Sequence, residues 1–186
     1  MQGVFPILVT PFDDDERVDE DSLRSVVEFN ISAGVHGLGI ALGSEILKLT
    51  EPERSQVVSI VVDQTRGRVP IVVNTGAQAN LTAARRGGIG TMPWPSQPHA
   101  FVEIWNAWQA GNERHAIDIH EREIAPLARL STAGLRLGHT IHKELLRRRG
   151  VIRSAHVRAP SEPLDDITMR ELDTVCERLG IGSVVA

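Results

Sequence analysis

Two amines and a short acidic turn are the residues of this chain that could do chemistry. Lys48 and Lys143 are the only lysines among 186 residues, and tyrosine is absent. A reaction that needs a side-chain amine to attack a carbonyl therefore has two candidates, and one that needs a phenol to relay protons has none. Gly43, Ser44 and Glu45 lie just ahead of Lys48. They read as a tight turn with a carboxylate at a helix entry, while the backbone N–H groups around Gly43 and Ser44 offer an alternative use as a carboxylate cradle. Lys48 is expected to be a solvated loop amine and Lys143 to sit on a peripheral basic helix, where Arg147, Arg148 and Arg149 complement the helix C-terminus. That arrangement, with the acidic overall charge, predicts no nucleic-acid partner. His139 with His142, and His115 with Asp118, are i, i+3 pairs that could each present two metal ligands on one helical face. Neither matches a specific metal motif, so exposed helical histidines are the simpler expectation, and no metal or cofactor is expected.

Composition narrows the class. The net charge of −4, with 41% hydrophobic and 24% charged residues, is ordinary for one globular domain. No apolar stretch is long enough for a membrane helix, and no charged-then-apolar leader opens the sequence. The expectation is a cytoplasmic protein without a membrane partner. The single cysteine, Cys176, excludes an internal disulfide and falls on the apolar face of a predicted last helix.

The elements that must position these groups alternate over the first 75 residues. Val4 to Thr10, Gly37 to Leu42 and Val69 to Val73 read as buried strands. Between them, Leu23, Val26, Val27 and Ile31 recur at helical spacing from Asp19 to Gly34, and Thr50 with Glu53 forms a capping box that opens a second helix. This is the pattern of βα units building a parallel sheet. A helix is predicted over 81–86, then a short strand over 88–92 and a proline-rich loop. Beyond it the chain reads as helices. Phe101, Ile104, Trp105 and Trp108 form a stripe read as core; a second helix bends near Pro126; a third carries Ile141, Leu145 and Leu146 to Gly150; and Thr168 with Glu171 caps a last one.

These residues carry a family resemblance. Val9-Thr10-Pro11-Phe12, Val18-Asp19, Gly34-Val35-His36-Gly37-Leu38, Glu45, Lys48-Leu49-Thr50-Glu51-Pro52-Glu53-Arg54 and Val69-Pro70-Ile71-Val72-Val73 stand in an order and spacing that resembles the dihydrodipicolinate synthase and N-acetylneuraminate lyase family of Schiff-base aldolases and dehydratases. Gly90-Thr91-Met92-Pro93, the run from Lys143 to Gly150, and Arg158-Ala159-Pro160 resemble the last barrel strand and C-terminal helices of the same family. The resemblance implies a single α/β domain over 1–186, part of a (β/α)8 TIM barrel: 1–86 the first three βα units, 87–186 the last strand and C-terminal helices. Four βα units, roughly 120 residues, are expected to be missing near Arg85 to Gly88.

In the family, a lysine on a middle strand forms an iminium with pyruvate or another 2-oxo acid, and a tyrosine moves protons. Both belong to the missing section. The resemblance places the carboxylate-binding loop at Ala41 to Ser44 and points to Thr10, Gly43, Ser44 and Glu45 as substrate-binding positions, with no catalytic residue retained. The expectation is a lyase-family chain that is inactive, or a non-catalytic half barrel that self-associates as a homo-oligomer or joins an intact paralogue. Only 13 residues lie between Asn74 and Gly88. That connector suits one adjacent hop, predicting strand order 1-2-3-4, whereas a closed barrel would give 4-1-2-3.

Overall fold

A computed structural model describes residues 2–73, 90–132 and 137–182. Four short parallel strands carry the N-terminal part: β1 (Gly3–Val4), β2 (Leu38–Ile40), β3 (Ile71–Val73) and β4 (Gly90–Thr91). β1 pairs with β4, Gly3 opposite Gly90, and β2 with β3, Leu38 opposite Ile71. An isolated parallel bridge, Ile7 with Gly39, joins the two pairs. The chain beyond β1 bonds to both sides: Ile7 N–H donates to Pro93 O at 2.8 Å, while Leu8 N–H donates to Gly39 O at 2.9 Å and Gly39 N–H to Pro6 O at 2.8 Å.

The order across the strands is therefore β4-β1-β2-β3. This corrects the adjacent-hop expectation. Hydrogen bonding along residues 3–8 makes β1 central, and the preference for a short hop yields to a strand that can satisfy donors and acceptors on both edges. The ladders are shorter than the apolar runs. Pro6 has no N–H to give, which limits the first. Gly37 allows close approach: a Cβ there would meet the Phe5 ring at 2.2 Å.

Two helices cover one side of the strands. α1 (Glu20–Ser32) starts at Asp19, whose side chain accepts from Ser22 N–H, and α2 (Glu51–Thr65) starts at Thr50 in a complete capping box with Glu53. Both starts agree with the sequence reading. Leu23, Val26 and Val27 of α1 and Val57, Ile60 and Val61 of α2 are buried with Val4, Leu8 and Leu38 in the main core.

The rest is helical. α3 (Pro98–Gln109) packs Phe101 into the main core, with Trp105 half-buried against it. α4 (Glu113–Ile119) runs through a π-turn, His120–Ile124, into α5 (Ala125–Thr132). Pro126 cannot donate to the carbonyl four residues back, and the π-turn absorbs the lost bond; the Gln97 amide donates to the Glu123 carbonyl at 2.7 Å. α6 (Leu137–Arg148) and α7 (Asp166–Arg178) complete the chain, and a second core of Leu127, Leu130, Ile141, Leu145, Leu172 and Cys176 holds them. The last helix is capped by Asp165, accepting from Thr168 N–H at 2.7 Å, not by the Thr168–Glu171 pair that the sequence suggests. The predicted helix over 81–86 lies outside the described residues. Among the described residues no helix is long and apolar enough to cross a membrane.

Candidate functional site

The loop after β2 lies at the C-terminal ends of the strands, the side on which barrel enzymes carry their chemistry. Leu42–Ser44 and Ile46–Lys48 are two 3₁₀ turns, with Glu45 between them at φ 57°. The turn is fastened from within. Ser44 Oγ donates to Leu8 O at 2.5 Å and accepts from Ala41 N–H at 3.1 Å, Ser44 N–H donates to Ala41 O at 2.8 Å, and Thr10 Oγ1 donates to Ser44 O at 2.6 Å. Gly43 lies under Trp94, whose ring would stand 3.4 Å from an added Cβ. Thr10 and Ser44 thus spend their hydroxyl protons on main-chain carbonyls, and the left-handed backbone at Glu45 turns its carboxylate inward.

Both lysines converge on that carboxylate. Lys143 Nζ lies 2.5 Å from Glu45 Oε1, and Lys48 Nζ lies 3.1 Å from Oε2. The side chains of Lys143 and Glu45 are 0% exposed. The Lys143 contact is one of charge without hydrogen-bond alignment, since Oε1 has no aligned donor. Each amine has a second acceptor on the segment between α6 and α7: Lys143 donates to His156 O at 2.8 Å and Lys48 to Arg158 O at 2.7 Å. Phe12 is the floor, with Lys143 Nζ 4.4 Å and the Arg158 guanidinium carbon 4.2 Å from its ring centroid. Burial pulls the Lys143 amine down to about 8, against the opposing pull of Glu45 and with help from the Lys48 and Arg158 charges.

Arg158 closes the outer side. It pairs with Glu53 at 2.5 Å and donates to the Glu16 carbonyl, and its hydrogen bonds hold the Glu53 carboxyl down at about 2. His156 Nε2 lies 2.8 Å from Glu16 Oε1, and Arg153 pairs with Asp21 at 2.5 Å. A second polar cluster lies beside Gly43. His142 is stacked on Trp94, centroids 4.6 Å apart, with Nδ1 2.7 Å from Ser96 Oγ. Burial drops its pKa to about 3, so the ring is neutral.

Several sequence expectations change here. Lys48 is not a solvated amine and Lys143 is not peripheral: one is 18% exposed and the other fully buried, each bound to Glu45. His142 is a core residue, not an exposed helical one, because Trp94 and Ser96 cover that face of α6. His115 does lie on the surface, 3.1 Å from Glu103. Among the described residues no three metal-ligating side chains converge. Arg147 and Arg148 pair with Glu144 one turn back rather than only facing the helix end. Thr10 bonds the turn that holds Gly43, Ser44 and Glu45, so the four positions named by the resemblance lie side by side. Sequence reasoning missed Phe12, His156 and Glu53 as members of the same cluster, and gave Arg158 no role in it.

A parallel βα framework with its polar cluster at the strand ends defines the class, and comparison with known proteins gives the family. Residues 1–88 match the dihydrodipicolinate synthetase family. The chain is 36% identical to an N-acetylneuraminate lyase from Citrobacter koseri over 47% of its own length and 32% of that protein's. It is 33% identical to a 4-hydroxy-tetrahydrodipicolinate synthase from Sorangium cellulosum over 72% of its length and 46% of that protein's. Against the crystal structure of dihydrodipicolinate synthase from Thermotoga maritima the TM-score is 0.81 at 15% identity, over 97% of this chain and 99% of that one, which shows the shared fold. These matches place residues 1–88 in the dihydrodipicolinate synthase and N-acetylneuraminate lyase family, a family of lyase type. It spans about a third to a half of the length of these curated relatives.

Proposed function

We propose that this chain is a partial barrel of the family in which Schiff-base lyase chemistry has lapsed, and that it acts by assembly with a second copy or with an intact relative. One observation carries the reading: every lysine in the sequence is held on Glu45, the better placed of them out of contact with solvent. An amine in an ion pair is protonated and cannot attack a 2-oxo acid, and the sequence has no tyrosine to move a proton afterwards. Support for assembly comes from the four-strand order β4-β1-β2-β3, which leaves both outer strands without a neighbour among the described residues.

The test has two arms. Incubation with pyruvate and borohydride, followed by intact-mass measurement, is expected to leave the mass unchanged. Light scattering is expected to give a multiple of the 20.4 kDa chain mass. A trapped adduct sinks the inactive reading, and a stable monomer that binds no intact relative sinks the assembly.

A second reading has its own observation. Burial brings the Lys143 amine to about 8, close to the range of nucleophilic lysines. On this reading Thr10, Gly43, Ser44 and Glu45 hold a small 2-oxo acid beside that amine. The same borohydride experiment decides it, since the adduct would map to Lys143.

A further inference from the structure

Residues 151–160 cross from α6 toward α7 over the C-terminal ends of β1 and β2 without forming helix or strand. Their apolar anchors are Ile152 and Val157, with Val151 half-buried against the main core. Everything else that ties them down is polar, in two layers.

The inner layer is the lysine pair, giving one proton each to the carbonyls of His156 and Arg158, two residues apart on the segment. Those same amines take the two oxygens of Glu45. The outer layer is Arg153 on Asp21, Arg153 N–H on Ser22 Oγ at 3.2 Å, His156 on Glu16, and Arg158 on Glu53 and the Glu16 carbonyl. One carboxylate therefore sets the position of both amines, and both amines set the position of the segment.

We infer that Glu45 is the hub of a latch: through Lys48 and Lys143 it holds the 151–160 strap shut over the strand ends, and release of the strap opens that mouth and uncovers Lys143. The device deepens the reading of a closed, non-reacting site and rests on it. Physical reasons favour a separable strap. A segment without regular structure, fixed by three apolar side chains near its start and middle and a set of partly solvated bonds, belongs to the low-stability end of a fold. Breaking outer pairs, which water and salt already weaken, costs far less than opening the inner one. The strap should yield from Arg153 and Arg158 inward while α1 and α2, packed in the main core, stay closed.

Reductive methylation with formaldehyde and cyanoborohydride, read by peptide mass, tests the closed state in the unaltered chain. Lys48 is expected to react at least tenfold faster than Lys143. Equal rates would overturn the latch. Hydrogen exchange on Arg158→Gln, which cuts the outer layer and the guanidinium contact with Phe12 but leaves Glu45 and the carbonyls that hold the two amines in place, tests its release. Exchange over 151–160 is expected to rise tenfold or more and Lys143 to become reactive, with α1 and α2 peptides unchanged. Unchanged exchange over 151–160, or equal loss of protection throughout the chain, would overturn it. Arg24→Gln, on the far face of α1, is the control and should leave the strap as it was. The pyruvate trapping above reads the inactive site separately, so failure of one is not failure of the other.

Discussion

Two ion-pair networks stand on either side of the βα framework, one of arginines and carboxylates across α1 and α2, the other of lysine and glutamate at the strand ends. On the outer face Arg24 meets Glu20 and Asp63 at 2.7 and 2.5 Å, and Arg68 meets Glu28 at 2.6 Å. At the strand ends Lys143 meets Glu45 at 2.5 Å. The distances are alike and the surroundings are not: the outer side chains are largely wetted, while the inner pair is sealed under Phe12 and the strap. Pairs in water gain little, because both ions were well solvated before they met. Pairs out of water are costly to make and costlier to break singly, because the survivor is left as a buried, uncompensated charge. Geometry alone does not rank them; solvent does.

The sharpest way to break the comparison is to remove the hub. Glu45→Ala should cost about 3–5 kcal/mol in a denaturant melt, the range for stripping one partner from a buried ion pair. It leaves two amines against Phe12 and Arg158 with no countercharge. The paired replacement Glu45→Gln with Lys143→Met should recover most of that loss, to within about 2 kcal/mol of the unaltered chain, since the buried charge leaves with its partner. Equal losses for the single and double variants would show that packing at these positions matters and their charge does not.

Proton linkage sharpens the same contrast from another side. The Lys143 amine titrates at about 8 in the folded chain and at 10.5 when unfolded. Below pH 8 both states hold the proton; between 8 and 10.5 the unfolded chain holds more, so stability rises with pH across that window and levels off above it. Chemical denaturation midpoints from pH 7.5 to 10 should therefore climb, and the climb should vanish in Lys143→Met. A fall over that window would mean that Glu45 governs the amine more strongly than burial does.

Local signals are the legible ones. Asp19, the Thr50–Glu53 box and the apolar spacings of α1 and α2 are decided within a turn or two of helix, so a short stretch of residue types is enough to read each of them. The grouping of Thr10 with Gly43, Ser44 and Glu45 comes through the family resemblance. What the sequence withholds depends on distant contacts. Lys143 sits on a helix whose apolar stripe, Ile141, Leu145 and Leu146, faces the cores; Lys143 is buried on another side of it, by Phe12 and a strap that carries no periodic pattern. The adjacent-hop strand order fails because connector length is a weaker constraint than the hydrogen-bond demand of the central strand. One compositional clue does point to the site: a chain with only two lysines places one of them beside the Glu45 turn.

Glu53 stands between the two networks, and the next effect down the scale is its own. It closes the α2 capping box through Thr50 N–H at 2.8 Å and also accepts from Arg158. Its carboxyl is held at about 2, below an ordinary 4.5, chiefly by that arginine. The contribution is present above pH 4.5 and lost as pH falls toward 2. Thr50→Ala removes only the cap hydroxyl and should cost about 1 kcal/mol. Arg158→Gln should also flatten the acid limb between pH 4.5 and 2, and by more than Thr50→Ala, which takes away only the smaller pull of the threonine hydroxyl on Glu53.

The outer face should give the smallest response, and it is the one that tests the ranking by solvent. Arg24→Ala removes contacts to Glu20, Asp63 and Gln64 at once, one of them as short as that between Lys143 and Glu45. If short distance set the energy, this variant would rival Glu45→Ala. Because Asp63 and Glu20 remain free to rehydrate when the guanidinium leaves, the expected loss is about 1 kcal/mol or less. Raising the salt to about 1 M, where screening acts within a few ångströms, should shrink even that difference. The Glu45→Ala deficit should persist in the same salt, since the ions that screen the surface have no path to a carboxylate lying under Phe12, Lys143 and the strap.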